Sequence, residues 1–442
     1  MADQKTYSIR CPIHGSMPFN QREVGLINHP FFQRLRLVSQ LGFASLVFPG
    51  ATHTRFAHSL GVAHLAGKVF DQIRQGQLFD LQQAYSAEQL AYARQILRFA
   101  ALAHDLGHPP FSHAAESILP TCASLGLPLA LGISPESQAS HEDFSYAIVY
   151  RLAKLGVFEE DEANDIVAIL SKRLKPSAKL DPKAGFPSIF ALLCQLINGE
   201  VDVDRMDYLH RDAYFAGVPY GRFDMERLVR AFSIAPVENR MLLAIRQEDV
   251  PTYENFLLSR IHMFHQIYFH KTLGAFSYYL RQAFVEKELD FSITGDLDEF
   301  VHCHEASLRE SLNRGADRKW SRLIVQRKRA KTLLRLSDES EPGQEKLDWL
   351  SQILDAAGVP FFISRSSNRY TSQIRSAKIG PETVMVIQSE FGQKKLVPLA
   401  DCSPLLESPV KRQIMITQLY VLEDQINQAN QAIQKGLNDT NT

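Results

Sequence analysis

The feature that most constrains this chain is an apolar helix that ends on two polar residues. Leu90, Ala93, Ile96, Leu97, Ala100, Ala101 and Ala103 fall at helical spacing, and the run stops before Pro109-Pro110. His104 and Asp105 close it. An imidazole and a carboxylate at the end of an otherwise buried element are costly unless something satisfies them. A divalent metal would do so. Neighbouring residues on a helix point about a hundred degrees apart, so the remaining ligands must come from other segments. The candidates are His58, in Thr54-Arg55-Phe56-Ala57-His58, and Asp204, in Asp202-Val203-Asp204-Arg205-Met206-Asp207-Tyr208.

Three further patterns carry chemistry. Asp204, Tyr208 and Asp212 are spaced i, i+4 and i+8, which puts them on one helix face, with Arg205 and Arg211 flanking it. Guanidinium groups there suit bidentate capture of phosphate, although a solvated face with local ion pairs has the same pattern. His113 precedes Glu116 by three residues, and Ser140-His141-Glu142 supplies another imidazole. A histidine held by a carboxylate makes an acid/base pair near neutral pH, or simply a satisfied structural histidine. Cys11-Pro12-Ile13-His14 has the spacing of half a zinc site, but no matching second pair follows, and a turn closed by Gly15 is the simpler account.

From Asn28 to about Phe284 the apolar spacing is helical, so this half reads all-α. The segment from Arg318 to Lys346 mixes basic and acidic runs and reads as a surface loop or lobe junction. Beyond it, Val359 to Ile363, Thr383 to Ile387 and Lys395 to Pro398 read as short strands, with a turn at Glu390-Phe-Gly-Gln. The stretch from Lys411 to Lys435 reads as helix. The expected fold is mainly α: an all-helical core over 1–290 and a smaller α+β lobe over 291–442. Lys plus Arg (48) and Asp plus Glu (49) nearly cancel, which argues against a dedicated nucleic-acid or membrane-surface binder. The locally basic stretch from Arg318 to Arg335 gives only weak support for contact with single-stranded nucleic acid. Five scattered cysteines do not suit a disulfide framework, and no signal peptide or long apolar span is evident, so a soluble cytoplasmic protein is expected.

Taken together, the ordered motifs resemble a known family. Phe32-Gln-Arg-Leu-Arg-Leu-Val-Ser-Gln-Leu-Gly42, Phe48-Pro-Gly-Ala-Thr-His-Thr-Arg-Phe-Ala-His-Ser-Leu-Gly61, His104-Asp-Leu-Gly-His-Pro-Pro-Phe-Ser-His113, Asp202 to Tyr208 and Tyr268-Phe-His-Lys271 follow one another as in the HD-superfamily deoxynucleoside-triphosphate (dNTP) triphosphohydrolases, over roughly residues 10 to 290. The resemblance implies an HD-domain core in which His58, His104, Asp105 and Asp204 hold one divalent ion (Mn, Fe, Zn, Ni or Mg), with a second Mg accompanying the triphosphate. It places His113, Glu116 and His141 at the chemistry beside the α-phosphate, with His108 close by. Arg55, Arg205 and Arg260 match positions that hold the triphosphate. Gln40, Tyr208, Asp212 and Tyr268 match those around the deoxyribose, Tyr268 packing where a 2′-hydroxyl would project. The implied reaction converts a dNTP to deoxynucleoside and tripolyphosphate.

The resemblance also implies a homo-oligomer, a dimer or tetramer, and a candidate allosteric nucleotide site at Gln33 and Arg36. There Asn28 replaces the aspartate with which guanine-activated members read the base, and an amide does not offer the same two acceptors. Two other readings fit parts of the pattern: an HD phosphohydrolase or phosphodiesterase for a monophosphate or signalling nucleotide, and a non-catalytic nucleotide sensor or nucleic-acid binder. The three arginines favour a long phosphate chain, and the complete set of ligands and histidines favours catalysis.

Overall fold

Capping chemistry starts the helices that carry the motifs. The computed structural model describes residues 6–74, 79–337, 340–373, 375, 378–406 and 413–440. Ser86 and Gln89 form a capping box at the head of helix Ala87–Ala103, and Ser140 and Asp143 do the same for helix His141–Lys154. Asp202 caps helix Val203–Ala216 by accepting from the Arg205 N–H, and Gly217, at φ +71°, ends it in the left-handed conformation. Helix Arg55–Arg74 packs against both Ala87–Ala103 and Val203–Ala216. Leu97 and Leu102 of helix Ala87–Ala103 are fully buried in the core. Each contributes about 1.5–3 kcal/mol by burial, and truncating either to alanine costs about 2–5 kcal/mol.

The molecule is mainly helical with small sheets, as the sequence pattern predicts. Strands β1 (Tyr7–Cys11) and β2 (Gly15–Phe19) form an N-terminal hairpin. A four-stranded sheet runs in the order β3 (Phe232–Val237), β4 (Arg240–Arg246), β7 (Met385–Glu390), β8 (Gln393–Pro398). A three-stranded sheet runs β5 (Ala330–Leu336), β9 (Gln413–Leu422), β6 (Phe361–Arg369). The strands expected near 359–363, 383–387 and 395–398 are β6, β7 and β8. Phe391 (φ +49°) and Gly392 (φ +81°) make the tight turn between the last two. β7 pairs in parallel with β4, so the chain beyond residue 380 completes a sheet begun inside the helical half.

Three expectations need correction. The hairpin β3–β4 interrupts the stretch read as all-α. The closing segment is not one helix: Gln413–Leu422 is the central strand of its sheet, and the helix is Ile426–Thr440. A central strand buried on both faces is an unbroken apolar run, which periodicity does not separate from helix. Lys411 and Arg412 lie outside the described residues. The supposed surface loop from Arg318 to Lys346 holds helix Lys319–Val325, β5 and the start of helix Glu341–Ala356, while Asp338 and Glu339 also lie outside the described residues. Among the described residues no helix is long and apolar enough to cross a membrane.

Candidate active site

The turn that follows helix Ala87–Ala103 is built to present side chains. Gly107 tolerates no Cβ, which would stand 2.0 Å from the His141 carbonyl oxygen. The Ser145 hydroxyl donates to the His104 carbonyl (2.8 Å) and accepts from the Gly107 N–H (2.9 Å). From the other side buried Arg34 donates to the carbonyls of His108 (2.6 Å) and Leu106 (3.2 Å). Further on, Phe111 (φ +59°) and Ser112 (φ +54°) are both held left-handed, at a cost on the order of 1–3 kcal/mol each. Surrounding contacts impose this: Arg55 Nε donates to Ser112 Oγ (2.9 Å), Phe111 N donates to Glu305 (3.2 Å), and the Phe111 ring stacks on Phe43. Glu305 also accepts from the Ser39 backbone and hydroxyl.

At the floor of this arrangement one ligand atom each from His58, His104 and Asp204 lie within 4.8 Å of one another. His58 Nε2 is 2.9 Å from Asp204 Oδ1, and His104 Nε2 is 3.6 Å from the same oxygen. Asp105 Oδ1 is 3.4 Å from His104 Nε2 and 3.3 Å from His108 Nε2, while Oδ2 takes Arg55 Nη1 at 2.5 Å. His104 Nδ1 faces the Ala101 carbonyl (2.8 Å), and its Nε2 is buried without a hydrogen-bond partner among the described residues. His58 Nδ1 faces Asp207 Oδ2 at 2.8 Å. With both Nδ1 atoms held by acceptors, both Nε2 atoms can present lone pairs, the donor form that ligates a divalent ion. Two imidazole nitrogens, one of them buried and orphaned, and the flanking carboxylate oxygens therefore fit such an ion. Burial alone would lower the His58 pKa, but its hydrogen bonds to Asp204 and Asp207 raise it to about 10. A cation entering there must displace a proton.

These groups open onto a cavity of about 860 Å³. Of the residues singled out from the sequence, His104, Asp105 and Asp204, then Arg55, Arg205 and Arg260, then Gln40, Tyr208, Asp212 and Tyr268, then His108, His113 and His141 all line it. His58 lies behind the lining, 1% exposed. His141 Nδ1 bonds Glu116 Oε1, and His113 Nδ1 approaches the same oxygen at 3.2 Å. Burial works against the Glu116 carboxylate, yet the two histidines hold its pKa far below the usual range. His113 is 70% exposed, so it reaches solvent and cavity alike. His108 stacks on His141 at 3.8 Å, and burial together with Arg55 keeps it neutral. Tyr268 donates its hydroxyl to Asp212 (2.8 Å), whose other oxygen meets His53 Nε2 (2.7 Å). Gln40 Oε1 is buried without a hydrogen-bond partner among the described residues.

Other residues behave differently from the sequence pattern. Arg211 is fully buried against Asp207 and is not among the cavity-lining residues. Arg260 spends donors on the Tyr370 and Arg369 carbonyls and on Asn368 Oδ1, tying its helix, Val250–Met263, to the end of β6. Gln33 and Arg36 hydrogen-bond each other (2.8 Å) outside the cavity. Residues that sequence reasoning passed over are Asp207, His53, Arg281 and the run Ser364 to Asn368 on β6, which forms a cavity wall. Asp207 lay within a quoted motif, but nothing local distinguishes its role from that of Asp204.

The HD domain family matches residues 55–212. The match spans the segments that carry His58, His104, Asp105 and Asp204, so the HD domain is the part of the chain that holds the site. The chain is 32% identical over 273 residues to the Bacillus subtilis protein YwfO (61% of this chain, 53% of the relative). It is 30% identical over 306 residues to the human deoxynucleoside triphosphate triphosphohydrolase SAMHD1 (65% and 45%). The chain spans about half the length of these two curated relatives. A crystal structure of a hypothetical protein from Aquifex aeolicus superposes with a TM-score of 0.73 at 28% identity, covering 97% of this chain and all of the other.

Proposed function

We propose that the protein is a metal-dependent nucleotide phosphohydrolase, and specifically that it hydrolyses dNTPs at the α-phosphorus to deoxynucleoside and tripolyphosphate. The observation that carries the reading is the orphaned His104 Nε2, set beside His58 and Asp204 at the floor of a cavity walled by Arg55, Arg205 and Arg260. The human and other relatives named as dNTP triphosphohydrolases support the substrate class. His58, His104, Asp105 and Asp204 would hold the ion. When bound it would polarise a phosphoryl oxygen and lower the pKa of water.

The chain's own groups do the rest. Water adds to the α-phosphorus, the bond from phosphorus to the 5′-oxygen breaks, and that oxygen leaves as a hydroxyl after taking a proton. His113 supplies this proton, with Glu116 and His141 holding it in place. Arg55 and Arg205 stabilise charge on the phosphates, and His108, kept neutral, hydrogen-bonds near the α-phosphate without adding charge. Tyr208, Tyr268, Asp212 and Gln40 bracket the deoxyribose, where a 2′-hydroxyl would meet Tyr268. An activating nucleotide at Gln33 and Arg36 and a homo-oligomeric assembly complete the proposal.

The test is incubation of the purified protein with each dNTP and rNTP, singly and in pairs, with manganese or magnesium, followed by chromatography of the products. Asp105→Ala serves as the blank. Deoxynucleoside plus tripolyphosphate from dNTPs alone is the expected result. Release of orthophosphate or pyrophosphate, or no turnover of any triphosphate by metal-loaded protein, would overturn it.

A further inference from the structure

The Cys11-Pro12-Ile13-His14 turn is not part of the cavity lining, yet it reaches the metal-binding cluster from behind. His14 Nε2 is 2.6 Å from Asp207 Oδ1, across 193 residues of sequence. Asp207 is 0% exposed and meets four nitrogens. His14 Nε2 and Arg211 Nη2 (2.8 Å) approach Oδ1, while His58 Nδ1 (2.8 Å) and Arg211 Nε (2.7 Å) approach Oδ2. A carboxylate has about four acceptor sites, so this one is saturated. Arg211 is itself 0% exposed, and its Nη2 is 3.4 Å from Cys11 Sγ. Both ends of the turn thus close over the Asp207–Arg211 pair.

The opposite wall is as specific. A Cβ on Gly61 would stand 2.0 Å from Asp207 Oδ1 and 2.4 Å from Arg211 Nη2. Gly61 lies one turn along the same helix from His58, so the carboxylate fits between hairpin and helix only where the helix has no side chain. The two Arg211 nitrogens can only donate, so both Asp207 oxygens act as acceptors. Its histidine partners must then donate, which leaves His58 Nε2 to face the cavity cluster.

We propose that the N-terminal hairpin is the rear support of the metal centre: His14, through Asp207, fixes the ring orientation and tautomer in which His58 ligates a divalent ion. This rests on the reading of His58 as a ligand. His14 is a positioning residue, because its side chain is 4% exposed and is not among those lining the cavity. Without it Oδ1 keeps only Arg211, the carboxylate can rotate, and the His58 ring loses its fixed acceptor.

The experiment is titration of chelator-stripped protein with Mn²⁺ alone, reading free ion by electron paramagnetic resonance. Removing an outer-shell partner of this kind weakens metal binding about ten- to a hundredfold, and this is expected of His14→Ala. His14→Gln, whose amide also donates, should recover much of the affinity. Gly61→Ala, which displaces the same carboxylate from the other side, should weaken binding without touching the hairpin. Wild-type affinity in folded His14→Ala or in folded Gly61→Ala would overturn the proposal, and circular dichroism decides which variant is folded. Failure of the unmodified protein to bind Mn²⁺ would instead sink the metal-centre reading itself.

Discussion

Asp204 and Asp207 sit one turn apart on the same helix and could hardly be treated more differently. Asp207 is enclosed and accepts from four nitrogens. The Asp204 side chain is 30% exposed toward the cavity, with one histidine nitrogen in hydrogen-bond range and a second at 3.6 Å. A saturated carboxylate is scaffold, since every lone pair is already used. An undersaturated one beside an orphaned imidazole nitrogen is a place prepared for something else. A single turn of helix Val203–Ala216 therefore carries both a residue that holds the site and one that acts in it.

The sharpest way to break this comparison is to remove each carboxylate in turn. Asp204→Ala should abolish turnover in the product assay while costing about 1–3 kcal/mol of unfolding free energy, because enclosed His58 Nε2 loses an acceptor but no guanidinium is stranded. Asp207→Ala should cost about 3–5 kcal/mol in urea denaturation, because it leaves Arg211 buried and uncompensated. Equal stability losses in the two variants would erase the distinction. A smaller effect is expected at Arg205, which faces the cavity. Losing a charge-assisted contact of about 1.5–3 kcal/mol should lower kcat/KM for a triphosphate about ten- to a hundredfold in initial-rate measurements, with the fold intact.

The smallest effect concerns acid. The His64 ring lies 5.5 Å from that of His14, and burial, with the nearby His14 and Arg98 charges, pushes its pKa down from 6.5 to about 4. The unfolded chain then binds more protons between those values, so stability rises with pH across that window and is lost as pH falls through it. Denaturation midpoints measured from pH 4 to 6.5 should climb less steeply in His64→Gln than in the parent. An unchanged slope would assign the acid sensitivity to other groups.

Much of the cavity was legible because its chemistry is written locally. His104-Asp105 at the end of an apolar helix and the i, i+4, i+8 stripe of Asp204, Tyr208 and Asp212 need only helix geometry to be read, and all of these residues face one cavity. What was not legible depends on partners far along the chain. Nothing near Asp207 announces His14, and Arg211 resembles a phosphate ligand until the enclosed carboxylate beside it is seen. The same limit applies to the fold. β9 is an apolar run whose state is decided by β5 and β6 on either side of it, and β4 finds β7 about 140 residues away.

β6 has one neighbour in its sheet, β9, and turns its free margin toward the cavity. The Val250–Met263 helix is tied to its end through Arg260. The width of the aperture is thereby set by a sheet whose central strand begins more than two hundred residues after Asp204.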